Sequence, residues 1–219
     1  MIVPETPAEL IGEFLPNFVG HLLSGQPPPA AGKDPGSATS RATTARRSPA
    51  PVGVGLRVVG AGEWTLRIVG ERLIVEPQIL EDVALQVTLT ERDFGPLVVA
   101  PLRRALAQRS GGGSASPAQP MSIWARLGRW DEETVDLLRR QTAGILLRVQ
   151  DGELQRCVAL TPSVHAYSLE TAECTIDCAL SDLEQLQAKQ GNPLDLFYAG
   201  QIRISGDAQI ALAMAGLFL

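Results

Sequence analysis

The chain is short of the residues from which catalytic and metal centres are built. Its 219 residues include only two histidines and three cysteines. His21 and His165 have no metal-ligand or triad partner near them in sequence, so they read as structural or exposed. Cys174 and Cys178 stand four apart on one predicted strand. Zinc sites prefer Cys-x-x-Cys knuckles and need four ligands, so these two, like Cys157, read as buried small hydrophobes. An odd cysteine count without framework spacing fits a reducing cytoplasm better than a disulfide scaffold. A phosphate-binding loop is missing too: Gly60-Ala61-Gly62 is a hairpin turn, and Gly111 to Gly113 precedes no Lys-Ser/Thr. No acid, base and nucleophile converge, so the expectation is a protein that is not an enzyme and holds neither metal nor cofactor. No apolar run reaches membrane-spanning length, and Met1 to Glu5 lacks the basic start of a secretory signal. A net charge of −5 argues against a nucleic-acid surface, which needs clustered Lys and Arg.

What is present is alternation and apolar periodicity. Thr6-Pro7-Ala8-Glu9 is a capping box with proline in the first turn. Leu10, Ile11, Phe14, Leu15, Phe18, Val19, Leu22 and Leu23 then form one apolar stripe, and Pro16 is expected to kink this N-terminal helix, residues 1–24. Residues 25–51 are rich in Pro, Ala, Gly, Ser and Thr and read as a disordered linker. Residues 52–109 hold four predicted strands, at Leu56 to Val59, Trp64 to Ile68, Leu73 to Val75 and Leu85 to Leu89. A helix capped by Thr90 follows, broken by Pro96 and Pro101. Residues 110–120 (SGGGSASPAQP) read as a second flexible linker.

Residues 121–219 repeat the layout. A shift of 91 positions places Leu56-Arg57-Val58 on Leu147-Arg148-Val149 and Leu85, Val87, Leu89 on Ile176, Cys178, Leu180. It also sets the Thr90–Asp93 box on Ser181 to Glu184. Strand parity is preserved, which a chance match would break half the time. This reads as an internal duplication whose first copy lacks the closing segment of the second. Either that copy is degenerate, or another element completes its sheet edge.

The closing segment, Asn192 to Leu219, is the most informative. Asn192-Pro193 opens a short helix with Leu194, Phe197 and Tyr198 on one face, and Gly200 stops it. Gln201 to Ser205 alternates as a half-buried strand, Gly206 turns the chain, and Asp207 caps a final helix. That helix, Ala208 to Leu219, has one polar residue, Gln209, so it must be enclosed by protein, by a partner or by a bound apolar molecule. Its alanines and Gly216 leave space between the larger side chains.

This order resembles the C-terminal signature of the sterol carrier protein type-two family. Ala172-Glu173-Cys174-Thr175-Ile176 and Ser181-Asp182-Leu183 resemble two further motifs of that family. The resemblance spans about Asp131 to Leu219. It implies an α+β fold, a twisted five-stranded sheet with helices on one face and an apolar cavity, here preceded by an incomplete copy of the same unit. It also implies a lipid partner (sterol, fatty acid or acyl-CoA, or prenyl lipid) held by Phe197, Ile202, Ile204, Met214 and Leu217. An accessory role is the alternative implied by bacterial relatives that assist isoprenoid-quinone biosynthesis, with biosynthetic enzymes as partners.

Overall fold

The computed structural model describes residues 2–23, 53–70, 72–110, 132–140, 143–162, 168–187 and 192–211. The two linker segments, His165, Met214 and Leu217 lie outside the described residues, apart from Ser110, which ends a helix. Eight strands form one sheet: β1 Gly53–Val59, β2 Gly62–Val69, β3 Arg72–Glu76, β4 Val83–Thr90, β5 Ile145–Asp151, β6 Leu154–Pro162, β7 Cys174–Ala179 and β8 Ile202–Gly206. Their order is β3-β2-β1-β4-β6-β5-β7-β8.

The expected five-stranded sheet is therefore corrected to eight strands. The reason is the antiparallel ladder between β4 and β6, running from Leu85 opposite Pro162 to Leu89 opposite Val158. It fuses both halves of the chain into one surface and completes the edge that the first half leaves open. Five consecutive strands from either side have the same directions. β3-β2-β1-β4-β6 runs antiparallel, antiparallel, parallel, antiparallel. So does β4-β6-β5-β7-β8.

Helices cover one face. The first, α1, is continuous through Pro7–Glu9, Leu10–Phe14 and Leu15–Leu23, and the Thr6 hydroxyl accepts the Glu9 N–H. Pro16 does not interrupt it. The Leu10–Phe14 turn is π-helical, with the Leu15 N–H reaching the Leu10 carbonyl. The second, α2, behaves alike through Glu91–Phe94, Gly95–Val99 and Ala100–Ser110, so the expected breaks at Pro96 and Pro101 are corrected. Its π turn again ends two residues before a proline, Pro101. A proline removes one N–H and crowds the carbonyl four residues back, and a wider turn just ahead relieves both without ending the helix. Three shorter helices follow: α3 Glu132–Arg140, α4 Leu180–Gln187 and α5 Pro193–Tyr198. Residues 208–211 begin a last one.

The core lies between this layer and the sheet. In the first half, Leu10, Ile11, Leu15, Phe18 and Val19 of α1 pack with Leu56, Val58, Trp64, Leu66 and Leu73, beside Phe94 and Leu102 of α2. In the second, Val135 and Leu138 of α3 pack with Ala84, Leu85, Ile145, Cys174, Ile210 and Ala211. The outer face of the sheet is crossed by the β3–β4 connection. There the Thr65 hydroxyl donates to the Gln78 carbonyl at 2.7 Å and accepts the Leu80 N–H at 2.9 Å.

Candidate functional site: an apolar groove on the covered face

Strand register arranges the covered face of β6-β5-β7-β8 into cross-strand rows. One flanking row is Leu160, Ile145, Cys174 and Gly206: Ile145 and Cys174 are 2% and 0% exposed, Leu160 is partly buried and Gly206 is exposed. The other is Arg156, Val149, Cys178 and Ile202, at 8%, 0%, 7% and 7%. Between them runs Val158, Leu147, Ile176 and Ile204, and every one is only partly buried. In a filled core the middle of a face is its most enclosed part, because close packing leaves few gaps. Here the order is reversed on β5 and β7. Ile176 and Ile204 touch the buried clusters on both sides, and Leu97 of α2 with Leu183 and Leu186 of α4 stand partly buried above them. The middle row is thus an apolar strip covered only in part.

Charge is confined to one end of the strip. Asp93, in the first turn of α2, and Arg156, on β6, are both buried. The guanidinium reaches Asp93 Oδ1 at 3.4 Å and Asp151 Oδ2 at 2.6 Å. Asp93 Oδ2 also accepts the Thr90 hydroxyl and the Cys157 N–H. Asp182 occupies the corresponding first turn of α4, where Ala179 stands in the place of Thr90 as the last residue of the preceding strand. It is 8% exposed. Cys178 lies near it: burial first, then Asp182 and Asp177, push this thiol up to about 11.

Of the residues expected to line a cavity, Ile204 belongs to the middle row and Ile202 to the buried end row. Phe197 sits on α5, 42% exposed, its ring edge-on to Tyr198 at 5.8 Å. Leu147, Val158 and Ile176 are middle-row residues that the sequence reading did not name. Ile176, between Thr175 and Asp177, had a signal in strand alternation; Leu147 beside Leu146 and Val158 between Cys157 and Ala159 had none. Asp207 accepts the Gln209 N–H as a helix cap and Glu184 pairs with Arg104. The outer face carries a different concavity of about 400 Å³ lined by Arg148, Gln150, Gln155, Asp177, Gln201 and Arg203. Its polar walls do not suit a hydrocarbon chain. No group of His, Cys, Asp or Glu among the described residues has metal-site geometry. No helix among them is long and apolar enough to cross a membrane.

The described residues form an α+β unit with helices over one face of a mixed sheet and an apolar strip beneath them. Residues 126–219 match the SCP-2 sterol transfer family, and the resemblance carried by the Asn-Pro, Gly-Asp and Cys-Thr-Ile motifs is thereby shown for that half of the chain. Among solved structures, the sterol carrier protein 2-like 2 of Aedes aegypti is 16% identical. The match covers 54% of this chain and 97% of that one, with a TM-score of 0.33. The palmitated form of SCP2L2 from Aedes aegypti is 19% identical over 46% and 91% of the two chains, TM-score 0.37. Sterol carrier protein 2 from Yarrowia lipolytica is 14% identical over 40% and 74%, TM-score 0.31. No curated protein matches the chain.

Proposed function

We propose that the protein binds a lipid, without catalysis, in the groove floored by Val158, Leu147, Ile176 and Ile204. The observation that carries this reading is the inverted burial of the middle row. The apolar surface that the middle row leaves exposed is unfavourable by about 25 cal/mol per Å² until something apolar covers it. Burying an acyl chain there supplies the ~8 kcal/mol of micromolar binding. The family match of this same half supports a lipid as the occupant. Phe197, Met214 and Leu217 remain candidate contacts beside Ile202 and Ile204.

The first half reads as a copy of the second that is filled rather than open. Two five-strand sets with one direction pattern, each with a helix before its first strand and after its parallel one, support the duplication. The row matching the groove floor is Trp64, Leu56, Val87 and Leu160. Trp64, 7% exposed, takes the place of Val158 and fills the space. We therefore assign binding to the second half alone.

The test is a titration with a fluorescent fatty acid and a fluorescent sterol. Saturable binding at one site per chain, at micromolar or lower concentration, is expected. Failure of all lipid classes, prenyl lipids included, would leave an accessory role ahead. That second reading draws on the exposed trio Leu194, Phe197 and Tyr198, an apolar surface at which biosynthetic enzymes could dock.

A further inference from the structure

On the outer face of the sheet, the two halves of the chain balance their charges differently. The shift of 91 positions that sets Arg57 on Arg148 is matched by strand register. Arg57 of β1 stands opposite Glu63 of β2 and Thr88 of β4, and Thr88 stands opposite Ala159 of β6. Arg148 of β5 stands opposite Cys157 of β6 and Asp177 of β7, and Asp177 stands opposite Arg203 of β8. The first row holds one cation and one carboxylate, which meet at 2.6 Å. The second holds two cations and one carboxylate. Arg148 takes that carboxylate as a fork, its Nε 2.7 Å from Asp177 Oδ1 and its Nη2 donating to Oδ2 at 2.9 Å. Arg203 is exposed, and the ion pairs among the described residues do not include it. The second row therefore carries one surplus positive charge.

That surplus lies in the concavity of about 400 Å³, where Arg148, Asp177 and Arg203 share the lining with Gln150, Gln155 and Gln201. We propose that this concavity binds a phosphate group, carried by a small soluble phosphoester or by a lipid head group. Arg148 and Arg203 stand two strand spacings apart, about 10 Å between Cα atoms, a span that two arginine side chains close around one anion. Guanidinium forks match the oxygens of phosphate and of carboxylate alike. Charge and donor count separate the two. A phosphomonoester brings nearly two negative charges and three acceptor oxygens, enough to outweigh repulsion from an Asp177 already neutralised by Arg148. A carboxylate brings one charge and two oxygens. Small-molecule sites run from about 300 to 1,000 Å³, so the concavity has room for the group that bears the phosphate. The site lies on the opposite face from the apolar strip and does not depend on the lipid-binding reading.

The experiment titrates the full chain calorimetrically with phenyl phosphate and with benzoate at low ionic strength, where screening is weak. Phenyl phosphate is expected to bind at one site per chain, and benzoate at least about tenfold more weakly. Arg203→Gln should weaken phenyl phosphate by about tenfold, the weight of one hydrogen bond between charged groups. Arg203 is exposed on an edge strand, so this variant keeps the fold. Arg57→Gln, in the balanced row, is the control and should leave the affinity unchanged. Cosedimentation with phosphatidylcholine vesicles, with and without phosphatidic acid, distinguishes the sources. Retention that needs phosphatidic acid and falls with Arg203→Gln assigns the phosphate to a lipid head group. Phenyl phosphate binding without such retention assigns it to a soluble phosphoester. Benzoate binding as tightly as phenyl phosphate would overturn the phosphate assignment. Equal affinity in Arg203→Gln, or failure of both phenyl phosphate and phosphatidic acid, would overturn the site.

Discussion

Gly206 sits against the main chain of Glu173 so closely that a Cβ at 206 would lie 2.0 Å from the Glu173 carbonyl oxygen. That same carbonyl accepts the Asp207 N–H at 2.9 Å, which fixes where β8 ends and the last helix begins. Gly206 also has φ +81°, a region costly to other residues. Gly206→Ala is expected to cost about 3 kcal/mol, combining left-handed strain with loss of that hydrogen bond. Gly70→Ala is the control: its φ is +62° but nothing lies within 4 Å, so about 1 kcal/mol should be lost. Urea unfolding of both variants measures the difference.

Arg156 ties β6 to the start of α2 through Asp93. Arg156→Met leaves that carboxylate buried and unpaired and should destabilise by about 3–5 kcal/mol. Adding Asp93→Asn removes the stranded charge while keeping an acceptor for the Cys157 N–H, so much of the loss should return. A double-mutant cycle by chemical denaturation checks this. Additive losses would mean the pair is not coupled.

The three cysteines are free, and burial is the largest cause raising each thiol's pKa. Cys178 moves furthest, from 9.0 to about 11. The folded state then holds its proton at a pH where the unfolded chain has released it. This stability is whole below about pH 9 and is lost as pH rises from 9 through 11. The unfolding free energy of Cys178→Ala should accordingly fall less steeply over that window than that of the unsubstituted protein. Alkylation by iodoacetamide at pH 8.5 should be slow at Cys178 until denaturant is added.

Filling the groove should separate binding from folding. Val158→Trp places in the second half the residue that Trp64 supplies in the first. It is expected to abolish lipid binding and to change stability by less than about 1.5 kcal/mol, because the space is already there. Ala211→Leu should do the reverse. Ala211 is 6% exposed against Val135, Leu138 and Cys174, so extra methylenes overpack a filled site and cost about 1–3 kcal/mol with affinity unchanged. Melting temperature and titration on both variants decide it.

Local chemistry was the legible part of this sequence. Thr6, Thr90, Asn192 and Asp207 announce helix starts, and each side chain accepts the N–H it should. Alternation placed the β strands and even the face that Ile202 and Ile204 share. Pairing between distant edges was not legible, because nothing in the local pattern of Leu85 to Leu89 says that its second neighbour is Val158 to Pro162. The junction of β7 with α4 was also misplaced: the structure sets Ala179 and Asp182, not Ser181 and Glu184, where Thr90 and Asp93 stand. A shift by two keeps parity, so alternation cannot detect it. The partly covered strip escaped for a related reason. Parity says which way Ile176 points, and only the helices' placement says how well it is covered.

The ladder between β4 and β6 has a temporal side. A ribosome completes Thr90 roughly 70 residues before Pro162, an interval of several seconds at ~5–20 residues per second. Throughout it, the outer edge of β4 offers unpaired amides and carbonyls to any passing strand. Closing so long a loop is also a slow step in refolding. The nascent first half therefore depends on whatever shields that edge, and crowding or heat shock during synthesis, more than any insult to the finished protein, is where losses of this chain should concentrate.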